Sequence, residues 1–500
     1  MSVQTQDRVG WRLGPAPADF ELAHVRALTP EGLVDDARIV VRDGLIAEVG
    51  RGRARGATCL DGSGLLVIPG IVDPHSDALE KERAPRPNAH VPWDFALSSL
   101  EGKLVAAGVT TIFHGAAFQH QTFRGGERSV ETALEVCGVI DTFASYRVDH
   151  RVLHRLDILS QEGAATLRGR LAHLPDAGPA PLVSHEDHTP GQGQYADPRY
   201  MANYMVTADG HTEDEAWSNI ARLMRESQEK EDVRAANLAW LGELASAGRI
   251  TLAGHDPDTA ETIDGLAARG GAVAEFPTTL QAARRAREKG LVIVAGAPNL
   301  LRGSSHSGNV SAQELLAAGL LDALASDYLP SALLSAAWQA ARDGLVDLVA
   351  AIGLVTSGPA AATGLTDRRG APPGPPGGPR RRRRPRRLVA AGRGHVAVEP
   401  TVSATVSPGS AALSGAGAGA DVEHGGAIAA RRRRGRSPYG APEPRISADA
   451  DPSSPRCAGR SPLPPGAGGP PTTGRTCSSW SPTARTGRRR TSSTRSSRRR

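Results

Sequence analysis

The residues best suited to chemistry sit at the end of an apolar run. Leu65–Glu80 closes on Asp73, His75, Asp77 and Glu80. His75 and Asp77 are two residues apart, so on a strand both side chains leave the backbone on one side. Further along, His188, His255 and Asp327 each stand at the end of an apolar run: Pro181–Asp187, Ile250–Asp256 and Leu321–Asp327. A lone histidine at a strand end is about as often a hydrogen-bonded structural residue as a ligand. Repetition at successive strand ends points to a metal centre instead, with His75, Asp77, His188, His255 and Asp327 as ligands. Imidazoles and carboxylates together suit one or two Zn²⁺ ions, with Mn²⁺ or another divalent ion as alternatives. Such ions bring the pKa of bound water towards neutrality and polarise a carbonyl or phosphoryl oxygen. Asp327 is the expected catalytic acceptor of the water's proton. Glu80, Asp157 and Asp256 are read as bridging or orienting carboxylates.

Two loops read as anion contacts. Pro85-Arg86-Pro87 fixes an arginine in a stiff segment just after the first ligands. Ala297–Asn309 gathers Asn299, Arg302, Ser304, Ser305, His306 and Asn309 in a loop that includes Gly303 and Gly308. Small residues let backbone N–H groups approach phosphate oxygens, and arginine adds a forked donor.

The elements that must position these groups follow from apolar runs separated by helix-period stretches. Seven runs, Val109–Phe113, Val152–Asp157, Pro181–Asp187, Ile250–Asp256, Ala272–Phe276, Leu291–Ala295 and Leu321–Asp327, join the one beginning at Leu65. Ser129–Ala144, Glu213–Ala245, Ala260–Arg269, Leu280–Lys289 and Ala312–Ala318 carry helical spacing between them. Continuous apolar strands alternating with helices predict an α/β fold with a parallel sheet buried on both faces. Eight of them suit a closed (β/α)₈ TIM-like barrel over residues 65–366. An open doubly wound sheet is the alternative, but no glycine-rich dinucleotide turn follows the first strand. Residues 1–64 read as a small β-domain with a hairpin turn at Asp43-Gly44.

The composition changes abruptly after Thr366. Residues 367–500 hold 27 Arg against 7 acidic residues, leaving 32 basic and 46 acidic residues in the body. The basic character therefore belongs to the tail, and the acidic body has no stripe for a nucleic-acid backbone. An Arg/Pro/Gly-rich segment cannot offset its ordering entropy by burial, so the tail is expected to be disordered. Our reading of it is a frameshift product, since Ala, Asp and Val codons in a GC-rich gene read one base out give such text. The competing reading is a nucleic-acid-binding tail. Four cysteines without metal spacing exclude a disulfide framework, and no run reaches the length of a membrane span. With no apolar leader at the N-terminus, the expected location is the cytoplasm.

His75–Glu80 with Pro85-Arg86-Pro87 resembles the amidohydrolase-superfamily branch of the carbon–phosphorus lyase pathway, the PhnM family. So do Ala107–Phe113, Asp187–Gln192, His255-Asp256, Ala274–Thr279, Gly296–Asn299, Arg302–Asn309 and Ser326–Tyr328. The ordered series spans about residues 20 to 366. The resemblance implies metal-dependent hydrolysis of alpha-D-ribose 1-methylphosphonate 5-triphosphate to the 5-phosphate with release of pyrophosphate. The expected partner is that phosphorylated ribose phosphonate, held by Arg86, Asn299, Arg302, Ser305, His306 and Asn309. No specific nucleic acid and no membrane are expected, and assembly into a homo-oligomer is compatible with the reading. The alternatives are a related amidohydrolase cleaving a C–N bond of a cyclic amide, or an inactive truncated relative. The chain departs from the family pattern at Ala78, at His114 after Phe113 and at His154. It also departs after Leu365, where the usual return strands to the β-domain give way to Arg/Pro text. On that reading the N-terminal strands would lack partners and the protein would lose stability.

Overall fold

The computed structural model describes residues 18–52, 59–86, 89–119, 128–145, 147–175, 178–207, 210–305, 308–368 and 388–389. All lie within the unit Met1–Ser407. The expected disorder of the tail concerns residues outside this set, apart from Asp367–Arg368 and Leu388–Val389.

The N-terminal strands β1 (Phe20–Thr29), β2 (Gly32–Arg42) and β3 (Leu45–Arg51) form an antiparallel meander. Asp43 and Gly44 turn β2 into β3 with φ of 52° and 70°, the left-handed pair that a two-residue hairpin turn needs. β4 (Cys59–Asp61) and β5 (Leu66–Val67) both add to β1 in parallel. Leu66–Val67 therefore belongs to the small sheet, which corrects the expectation of one strand running on from Leu65. Pro69, which lacks a backbone donor, and Gly70 carry the chain from this sheet to the barrel. The outer edge of β3 pairs antiparallel with Leu388–Val389, so the expected loss of all C-terminal pairing does not hold there.

The barrel follows as eight parallel strands in sequence order. They are β6 (Ile71–Ser76), β7 (Val109–Phe118), β8 (Asp149–Asp157), β9 (Leu182–Glu186), β10 (Thr251–His255), β11 (Val273–Glu275), β12 (Val292–Gly296) and β13 (Ala323–Ala325). A parallel bridge between Ser76 and Asp327 closes the ring. The long helical stretch expected over 213–245 is two helices, Glu213–Glu229 and Glu231–Ser246, broken at Lys230.

Burial divides by strand parity. Ile71, Ile112, Val183, Leu252, Ala274, Ile293 and Leu324 face outwards into the main core shared with the helices. Their neighbours Val72, Phe113, Leu153 and Leu182 face inwards, as do Ala253, Val273, Val294, Ala323 and Ala325. Ala360, Ala362 and Leu365 join these inner clusters, so the terminal helix Ser357–Ala362 fills the barrel floor. Arg368 follows it and ties the floor to Thr111 and Asp149 at 2.8 and 2.7 Å.

The same parity sends three histidines outwards. His114 Nε2 lies 2.9 Å from His150 Nδ1, and His150 in turn meets Glu101, which stands on the helix Trp93–Ala106. His154 stacks on Phe118 and bonds the Leu182 carbonyl oxygen, while His185 Nε2 and Leu266 both close over Gly254. Burial pushes His154 and His185 down to about 4. A depressed imidazole pKa means that the unfolded chain takes up a proton which the folded chain refuses between about pH 6.5 and 4, so stability falls as pH drops through that window. We expect His154→Gln to be less stable than wild type at pH 7. That deficit should shrink by about 2 kcal/mol by pH 5, since each pH unit below the unfolded pKa is worth about 1.4 kcal/mol. Urea unfolding at both pH values reads the gap, and a gap independent of pH contradicts the assignment.

Candidate metal centre

Where the barrel strands end, the inward parity delivers polar groups in place of apolar ones. Two residues beyond inward Leu153 stands Arg155; beyond Leu182 come Ser184 and Glu186; beyond Ala253, His255; and beyond Val273, Glu275. On β6, counting in twos from Val72 would send His75 outwards. The register shift between Asp73 and Ser76 resets the alternation and turns it in.

Glu275 organises the imidazoles. Its Oε1 lies 2.9 Å from His75 Nδ1, its Oε2 lies 2.9 Å from His255 Nδ1, and Ser184 Oγ donates to it at 2.7 Å. An ionised carboxylate only accepts, so both rings carry their proton on Nδ1 and turn Nε2 towards the cavity, as metal-ligating histidines do. Burial opposes ionisation of Glu275, but His75 and His255 outweigh it and hold Glu275 well below the usual carboxylate range. Burial also lowers His255, yet Asp256 and Glu275 carry it up to about 9.

Three groups of ligand atoms come within reach of a common cation among the described residues. They are His75, His255 and Glu275; His188, His255 and Asp256; and His75, Asp77 and Asp327. Asp256 Oδ2 is buried without a hydrogen-bond donor, 3.5 Å from His255 Nε2 and 4.0 Å from His188 Nε2. An undonated buried carboxylate oxygen facing two imidazoles is a costly arrangement for a protein without a cation. The donor set therefore fits a divalent ion. Asp256, Phe276 and Asp327 also hold left-handed φ of 51°, 54° and 58°, backbone strain of the kind that collects at functional sites.

Asp327 reaches this rim through the seam. Its backbone N–H donates to the His75 carbonyl oxygen at 3.0 Å, and its own carbonyl oxygen accepts from Asp77. Burial and the neighbouring Asp77 raise its carboxyl above the ordinary range. Asp73 takes no part in the cation groups. It accepts from the Ser326 backbone at 2.9 Å and locks the seam instead.

A ladder of charge runs along the other wall. Arg155 Nη1 lies 2.6 Å from each Asp77 oxygen, and the same guanidinium pairs with Glu186. Arg128 joins Asp77 to Glu80, at 2.8 Å to each. Burial works against ionisation of Asp77 and Glu186. Arg155 and Arg128 nevertheless keep Asp77 well below the usual range, and Arg155 brings Glu186 down to about 2.

The remaining expected residues stand outside the cation groups. Asp157 Oδ1 accepts from the Leu159 backbone at 2.9 Å and belongs to no cation group. Asp187 and Arg234, paired at 2.9 Å, tether the loop that carries His188. Arg302, exposed, donates from Nη1 to the Tyr328 hydroxyl at 2.9 Å. Asn299 Oδ1 accepts from the Ala312 backbone at 3.0 Å and so braces the loop. Ser305 and Asn309 line an open cavity of about 350 Å³. Arg86 is exposed on its loop, and His306 lies outside the described residues.

Across 348 residues the chain is 35% identical to the alpha-D-ribose 1-methylphosphonate 5-triphosphate diphosphatase of Escherichia coli (strain K12), covering 68% of this chain and 89% of that enzyme. The chain belongs to that family. No family model matches it. Among solved structures, a prolidase complexed with N-methylphosphonate-L-proline aligns at a TM-score of 0.45 and 15% identity, covering 70% of this chain and 89% of that one. A triazine hydrolase variant aligns at a TM-score of 0.45 and 12% identity, covering 70% and 84%.

Glu275, Glu186, Arg155 and Arg128 escaped the sequence reading, which looked only past the strand ends. For the first three the signal was present as a charged residue on the inward parity of its strand. Arg128 has no such signal. We expect Glu275→Gln to weaken divalent-metal binding about 10- to 100-fold, because an amide cannot accept from both imidazoles. Competition with a chelating dye reads this, and an unchanged affinity would remove Glu275 from its orienting role.

Proposed function

We propose that the chain hydrolyses alpha-D-ribose 1-methylphosphonate 5-triphosphate to the 5-phosphate, with release of pyrophosphate. The observation that carries this reading is the 35% identity over 89% of an enzyme of that name. The convergence of His75, His188, His255, Asp256 and Asp327 on one rim supports it. A divalent ion, Zn²⁺ in our reading and Mn²⁺ next, would be held among those residues; it supplies Lewis acidity and lowers the pKa of nearby water.

The chain's own groups then have distinct tasks. Glu275 keeps the Nε2 atoms of His75 and His255 pointed into the cavity. Asp327, made more basic by burial and by Asp77, takes the proton of the attacking water at its carboxylate. Water oxygen bonds to the phosphorus nearest the ribose, the anhydride P–O bond breaks, and its electron pair leaves with pyrophosphate. Arg302, which donates to the Tyr328 hydroxyl, is the forked donor we assign to the departing oxygens. That cation favours a phosphorylated substrate over a neutral cyclic amide.

With metal supplied, the full chain should release pyrophosphate from the ribose phosphonate triphosphate, and Asp327→Asn should lower kcat about 10²- to 10⁴-fold. Opening of a cyclic amide without pyrophosphate release would overturn the assignment.

A further inference from the structure

One half of the cavity is already filled by a cation of the chain itself. Arg155 has a side chain only 4% exposed and lies between Asp77 and Glu186, whose side chains are 13% and 2% exposed. We propose that Arg155 stands in place of one of two divalent ions. On this view the chain binds a single ion at His188, His255 and Asp256, and Asp77 is the counter-ion of Arg155 rather than a metal ligand. The inference rests on the metal-hydrolase reading of this site.

The contacts leave Asp77 little to offer a metal. Both its oxygens take Arg155 Nη1 at 2.6 Å, and Oδ2 also takes Arg128 Nη2 at 2.8 Å. Three donor contacts thus crowd a carboxylate with about four acceptor sites. Glu186 is engaged at both oxygens as well, with Arg155 Nη2 3.1 Å from Oε2 and Nε against Oε1. A guanidinium cannot shed its charge to admit an ion, and a divalent cation beside it would be repelled.

The fold reserves the space for this pair. At Gly115, on the inner face of β7, a Cβ would lie 2.6 Å from Asp77 Oδ1 and 3.0 Å from Arg155 Cδ. A side chain there would drive the two apart. Across the cavity the opposite holds, because Asp256 Oδ2 is buried and receives no donor. One wall is neutralised by the protein, and the other awaits a cation.

Metal analysis of the full-length chain, loaded with excess Zn²⁺ and then freed of loosely held ion, tests this. One ion per chain is expected. Two per chain would overturn the inference while leaving the metal-hydrolase reading intact, and none would overturn both. Arg155→Met frees Asp77 and Glu186 and should raise the content to two, with a larger thermal upshift on adding Zn²⁺. Arg155→Lys, which keeps the charge, should stay at one. A folded Arg155→Met that still holds one ion would also overturn the proposal. If that variant does not fold, the wild-type and Arg155→Lys contents decide.

Discussion

The site depends on closing a ring between the first and last barrel strands. The Ser326 backbone donates to Asp73 Oδ1 at 2.9 Å, Ser76 Oγ meets Ser326 Oγ at 2.9 Å, and the Asp327 N–H reaches the His75 carbonyl oxygen at 3.0 Å. These contacts join residues about 250 positions apart along the chain. Buried polar groups must find partners, and here the partners are each other across the seam. Burial lifts the Asp73 carboxyl to about 7, and its contact with the Ser326 backbone works in the opposite direction. Without this closure His75 and Asp327 would stand at opposite edges of an open sheet, and no common cation could join them.

Given the ring, charge balance decides the rest. Six carboxylates, from Asp77, Glu80, Glu186, Asp256, Glu275 and Asp327, gather at one end of the barrel. Burying so many like charges is tolerable only with cations or protons among them. Arg128 and Arg155 supply the balance on the wall of β6 to β9. His75 and His255 donate hydrogen bonds to Glu275. Asp256 is the member left without a donor on Oδ2, and burial raises its carboxyl to about 6. The protein thus answers part of its own charge and leaves a defined deficit at Asp256.

The histidines show how one residue type serves two ends by parity alone. His255 and His75 face the cavity and keep an open Nε2, whereas His114, His154 and His185 face the helices. His114 is one of the departures from the family pattern, and its sequence position left its role open. Its Nε2 instead meets His150 in the layer of helices, away from the ligands.

The sequence by itself determined the order of the barrel strands and the barrel class, and it singled out His75, His188, His255, Asp256 and Asp327. These are local properties: apolar runs of strand length, helical spacing, and polar residues at the points where strands end. It misjudged Leu66–Val67, because two apolar residues on the wrong side of Pro69-Gly70 read the same in either sheet. Tertiary structure alone decided which charge answers which. Asp77 looks like a ligand on spacing, but whether it faces a metal or an arginine depends on Arg155, 78 positions away, and on the absence of a side chain at Gly115. Pairings across a closed barrel are set by geometry between distant strands, and one-dimensional spacing does not encode them.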